Sequence, residues 1–224
     1  MFLHTHPYEP FLFEEATRWI VGTLPPPRFT TGHLKPGDVD FCYGSRDGQL
    51  WIILDRLFDL GLKYENTVEA IRQRTDFLRT QKIGICDVVQ CARRKKQDAS
   101  DLGMQDVELR DLVAYLHEYP SVHTLLFTGG NSKNGPEYFF RKILKEYGIS
   151  LKPVNNNIPR IHQFELNGGR SNGRIIKTVS LIAPSGAANR AVGGLQAYKE
   201  MKERDPKFTT LDFRIAQYSD HFLP

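Results

Sequence analysis

Four short runs of apolar residues stand out along the chain: Trp19–Gly22, Ile83–Val89, His123–Thr128 and Thr178–Ala183. They are near-continuously apolar rather than alternating, the pattern of strands covered on both faces in a parallel sheet. Between them the spacing turns helical. Leu50–Leu60 carries Leu50, Ile53, Leu54, Leu57 and Phe58 on one stripe. Asp106–His117 repeats this with Val107, Leu109, Leu112, Val113 and Leu116, and Glu137–Tyr147 with Tyr138, Phe139, Ile143 and Leu144. Strands alternating with helices predict βαβ units, an α/β fold with a central parallel sheet. Two segments depart from the pattern. Thr30–Ser45 is a long polar loop, a length that compact domains keep for function. Ile161–Leu181 reads as a β-hairpin joined by Asn167–Gly173, adding an antiparallel ribbon to the sheet and covering its edge.

Composition narrows the class without changing the fold. A chain of 224 residues without repeats or low-complexity linkers is expected to form one domain over 1–224. Its apolar stretches fall far short of the roughly 20 residues a membrane span needs, so no membrane partner is expected. Cys42, Cys86 and Cys91 show no CxxC spacing and read as reduced thiols, which points to the cytoplasm. His4 and His6 supply too few ligands for a metal, and none is expected. The net charge of +4 is a mild excess, concentrated in the run Arg93-Arg94-Lys95-Lys96. Oligomeric state leaves no trace in the pattern.

Candidate chemistry gathers at strand ends, where open α/β sheets build their sites. The first loop, Gly22-Thr23-Leu24-Pro25-Pro26-Pro27, is extended and stiff, suited to presenting backbone groups in fixed positions. The last, Ala183-Pro184-Ser185-Gly186-Ala187-Ala188-Asn189-Arg190, combines small residues with a hydroxyl, an amide and a cation, a kit for phosphate or a polar base edge. A third loop, Phe127-Thr128-Gly129-Gly130-Asn131-Ser132, offers either a helix cap or free amides. Asp87 lies inside an apolar run and requires a partner; Arg93 and Asp98 in the following loop are the candidates for a polar network. No GxSxG elbow and no Cys–His pair mark a hydrolase triad.

The chain resembles the uracil-DNA glycosylase superfamily, most closely its hypoxanthine-DNA glycosylase branch. The likeness runs from HPYEPFLFEEATRWIVGTLPP through YGSRDGQLW and GICDVVQCARRKKQD to LLFTGG and APSGAAN. It implies a three-layer sandwich with a central four-stranded, mostly parallel sheet flanked by helices. It also implies a partner, DNA containing a damaged base, and no cofactor. Gly22, Thr23, Leu24 and Pro25 match the first motif, and Pro184 to Asn189 the second, which presses the DNA backbone. Tyr43, Gly44 and Trp51 match an aromatic segment of the base pocket, to which Gly129 and Asn131 are added. Arg93, Ser185, Gly186, Asn189 and Arg190 are the expected DNA contacts, and Tyr43 or Phe41 the stacking platform.

Two positions depart from the resemblance. Leu24 stands where many relatives carry Asp or Asn, and Gly48 where this branch carries Asn. Asp47 is therefore the first candidate for handling water and Asp40 the second, although Asp before Gly is also a common turn residue. Three functions remain open: excision of hypoxanthine or uracil, DNA binding without turnover, and action on free nucleotides or nucleosides.

Overall fold

The computed structural model describes residues 1–96, 98, 100–168 and 173–223. Among these residues nine strands form: β1 (Phe2–Thr5), β2 (Arg18–Val21), β3 (Ile83–Ile85), β4 (Val89–Arg94), β5 (Met104–Leu109), β6 (Thr124–Phe127), β7 (Lys152–Asn155), β8 (Arg160–Leu166) and β9 (Arg174–Ser180). The helices are α1 (Pro27–Thr30), α2 (Leu50–Phe58), α3 (Val68–Thr80), α4 (Leu112–Glu118), α5 (Pro136–Glu146), α6 (Asn189–Gly194), α7 (Gln196–Arg204) and α8 (Thr210–Phe222).

The main sheet runs β3-β2-β6-β9-β8-β7. It has six strands rather than the expected four: β3, β2, β6 and β9 are parallel, and the antiparallel β8 and β7 extend it. The hairpin is thus part of the main sheet, its joint at 169–172 lying outside the described residues. A second, three-stranded sheet, β1-β4-β5, is antiparallel and has no counterpart in the sequence reading. It accounts for two corrections. The run Ile83–Val89 is not one strand, because the chain leaves β3 at Ile85 and enters β4 of the other sheet at Val89. Asp106–His117 is not one helix either: Met104–Leu109 pairs with β4, and α4 starts only where Asp111 accepts the N–H groups of Val113 and Ala114.

Alternation along β2 divides the core. Trp19 and Val21 pack with Leu125, Phe127, Phe139 and Phe140 on the side of α4 and α5. Ile20 packs with Leu126, Val179, Leu54, Leu78 and Tyr218 on the side of α2, α3 and α8. The parallel strands are buried on both faces, as their continuous apolar runs require. Their polar backbone ends emerge at two edges, and the carboxyl edge holds the cleft.

Candidate functional site

A cavity of about 430 Å³ opens at the carboxyl ends of the parallel strands. Small-molecule sites span about 300–1,000 Å³, so it has room for a nucleobase. Thr23 to Pro26 after β2 form one wall and Pro184 to Ala187 after β9 another. Tyr43, Gly44, Ser45, Asp47 and Gly48 of the long loop form a third, with Asp87 at the floor beside His6. The two walls are stitched together. Gly48 and Ser185 form an isolated antiparallel bridge, and the Gln49 N–H donates to the Pro184 carbonyl at 2.8 Å.

Asp87 is buried and richly satisfied. Its Oδ1 accepts the Gly22 N–H at 2.7 Å and the Tyr43 phenol at 2.6 Å, and its Oδ2 faces His6 Nε2 at 3.0 Å. A carboxylate offers about four acceptor positions, so these three partners leave one on Oδ2. Burial first, then the Asp87 charge, pushes the Tyr43 phenol well above its ordinary range, which keeps it a donor. Tyr43 holds a left-handed backbone at φ 58°, a conformation costing roughly 1 kcal/mol or more for a side chain of this size. The turn around it is closed by the Gly44 N–H on the Phe41 carbonyl and the Val39 N–H on the Gly44 carbonyl, and the bond to Asp87 anchors the phenol. Gly22 has no room for a side chain: a Cβ would lie 2.3 Å from the Tyr43 hydroxyl and 2.9 Å from Asp87 Oδ1.

Asp47 sits at the mouth, its side chain 65 % exposed and 3.1 Å from Arg28. Arg28 also forks onto buried Asp38 at 2.7 and 2.8 Å, fastening the long loop to α1. Burial pushes the Asp38 carboxyl up, but Arg28 and the N–H groups of Arg46 and Lys35 outweigh it and hold it at about 2. On the first wall the Thr23 hydroxyl donates to Asp101 at 2.7 Å, and burial raises that carboxyl.

The cavity gathers Thr23, Leu24, Pro25, Tyr43, Gly44, Asp47, Asp87, Ser185 and Gly186 from the expected residues. Gly22 lies directly behind it through Asp87. Others are placed elsewhere. Trp51 is core, its indole donating to the Cys42 carbonyl at 2.8 Å, and Phe41 packs on Phe11 and Trp51; of the expected aromatics the half-buried Tyr43 lines the cavity, together with Tyr8. Asp40 is outside the lining and accepts the Tyr8 hydroxyl at 2.7 Å. Gly129 packs against Pro136, and Asn131 is exposed; Thr128 is the member of that loop that reaches the cavity. Arg93 lies 3.9 Å from Asp106 and Asp98 lies 3.8 Å from Arg94, so neither completes the Asp87 network. Asn189 accepts from Arg214 at 2.9 Å, and Arg190 is exposed on α6.

Sequence reasoning missed His6, Arg110 and Arg214. His6 reaches Asp87 because β1 pairs with β4, a contact spanning 81 positions that leaves no local signal. Arg110 donates to the Tyr8 carbonyl at 2.8 Å and to the Asp87 carbonyl at 3.3 Å. Arg214 of α8, fully buried, holds the last loop through the carbonyls of Ala183 and Ser185, each at 3.0 Å. Among the described residues no group of three or more His, Cys, Asp or Glu is placed to share a metal ion, and no helix is long and apolar enough to cross a membrane.

No protein-family model matches the chain, and no curated protein does. Among solved structures it is similar to one described as a "putative Uracil DNA glycosylase" from Methanosarcina acetivorans, at 15% identity and a TM-score of 0.53. The match covers 95% of this chain and 99% of that one. At this identity the likeness is one of fold: the same α/β architecture, over nearly the whole length of both chains.

Proposed function

We propose that this protein hydrolyses the N-glycosidic bond of a deaminated base, hypoxanthine or uracil, flipped out of DNA. The observation that carries the reading is the two-level acid arrangement of the cavity. Asp87 lies buried at the floor, where an inserted base ends, and Asp47 lies at the open mouth, where the sugar stays. Base flipping demands this shape, a snug pocket for the base with the reacting bond at its entrance. Similarity of fold to a protein described as a glycosylase supports the same reading.

In the reaction the C1′–N bond breaks with its electron pair going to the base. Water bonds to C1′, Asp47 takes the water proton, and Asp47 releases it through solvent to the base nitrogen, which regenerates the carboxylate. Tyr43 provides the stacking face, worth about 1–3 kcal/mol per base. The His6–Asp87–Tyr43 cluster presents the free acceptor position to the base edge.

Duplex and single-stranded oligonucleotides carrying uracil, hypoxanthine or xanthine, followed by alkaline cleavage of abasic sites, test the proposal. Scission at the modified base is the expected result; none on any substrate overturns it. Asp47→Ala is expected to lower excision at least about 100-fold, the low end for loss of an acid–base group. A second reading, DNA binding without turnover, has one observation in its favour: Asp47 is already engaged by Arg28. Salt-sensitive DNA affinity in the absence of excision is its signature.

A further inference from the structure

A second cavity, of about 320 Å³, lies at the opposite, amino-terminal edge of the parallel strands. Its base is set by register. Arg18 of β2 stands beside Thr124 of β6, which stands beside Lys177 of β9, so the three side chains emerge on one face of three adjacent strands. That is the face covered by α8, whose end contributes Asp220 and His221; His123, just before β6, completes the rim.

The charges here are poorly matched. Arg18 donates to the His221 carbonyl at 2.8 Å, but its Nε is buried with no partner. Among the described residues neither Arg18 nor Lys177 forms an ion pair, and Asp220 is the one acid lining the cavity. A half-buried guanidinium without a counter-charge is costly. Its imprint falls on the neighbours. Desolvation, then Arg18 and Arg174, lower His123; burial and Lys177 lower His221, with Asp220 opposing. The cavity is electropositive, donor-rich and short of one anion.

We propose that this cavity binds a phosphate group carried by a small anion, inorganic phosphate or a nucleoside monophosphate. Arg18, whose Nε lacks a partner, the Lys177 ammonium and the Thr124 hydroxyl, which shares a hydrogen bond with His123 Nδ1 at 3.0 Å, bring donor groups from three strands to one hollow, the chemistry a phosphate oxyanion requires. This site does not depend on the proposed glycosylase activity, since it shares no residue with the first cavity.

The experiment follows the imidazole signals of His123 and His221 by NMR while inorganic phosphate, a deoxynucleoside monophosphate, an undamaged DNA duplex or chloride is added at constant ionic strength. Binding places negative charge beside both rings, so both pKa values are expected to rise with saturable phosphate or monophosphate. Binding also strengthens as pH falls through the histidine range, because protonated rings add to Arg18, Arg174 and Lys177 against Asp220 alone. Lys177→Gln, an exposed change in the middle of β9, is expected to weaken binding on the order of tenfold, as for one lost charge-assisted bond. Arg18→Gln is expected to abolish it. No saturable shift, an equal shift with chloride, a response to duplex alone, or unchanged affinity in Lys177→Gln overturns the proposal.

Discussion

Gly22 is a tightly enclosed position of the candidate site, and its constraint is chemical as much as steric. Its N–H fills one acceptor position of Asp87, and its missing Cβ makes way for the Tyr43 hydroxyl. Gly22→Ala is expected to lower stability by about 1–3 kcal/mol, the usual range for overpacking, and to displace Tyr43 from Asp87. Urea unfolding and the Tyr43 hydroxyl resonance check both. His4 makes a different prediction. Burial first, then Arg94, lowers its pKa to about 4, so the fold holds it neutral while the unfolded chain protonates near its ordinary value. The unfolded state therefore binds more protons as pH drops from about 6.5 to 4, and stability falls through that window by about 3 kcal/mol. His4→Gln is expected to flatten this part of the stability–pH curve, measured by denaturant melts. Residue identity alone made Asp87 legible as an acid needing partners. Those partners are His6, Gly22 and Tyr43 rather than the nearby Arg93 and Asp98, because strand pairing, not chain proximity, decides who meets whom.

At the scale of elements, helices with a full apolar stripe were readable and short strands of the second sheet were not. Leu50–Phe58 and Pro136–Glu146 form helices near the expected bounds because their buried face is written in their own spacing. Met104–Leu109 holds only a fragment of a helical stripe, and pairing with β4 overrides it. The strand-end loops were legible for the same reason as the parallel strands: a continuous apolar run stops, and Gly or Pro follows. What fixes the last loop was not, since Arg214 lies 29 positions from Ser185. Arg214→Met preserves much of the buried volume and removes the donors. It is expected to cost about 1.5–3 kcal/mol in stability, the range for hydrogen bonds to charged groups, and to reduce excision at least about tenfold. Thermal melting and the oligonucleotide assay separate the two effects.

On the scale of the whole molecule, the parallel sheet carries a cavity at each edge, the cleft at one and the electropositive hollow beside α8 at the other. The cleft is assembled from the N-terminal segment, the ends of β2 and β3, the long loop and the chain after β9. No two adjacent elements make it. Its appearance in time follows from that: closing contacts between residues 6 and 87, and between 48 and 185, comes after the local helices and hairpin have formed. A refolding molecule is thus expected to recover its helical signal before it has any cavity. In stopped-flow experiments far-ultraviolet ellipticity is expected to lead, and capture of a fluorescent base analogue to trail it as a separate, slower phase. Under the proposed function, a newly made chain is expected to be blind to DNA until the last of its segments has docked.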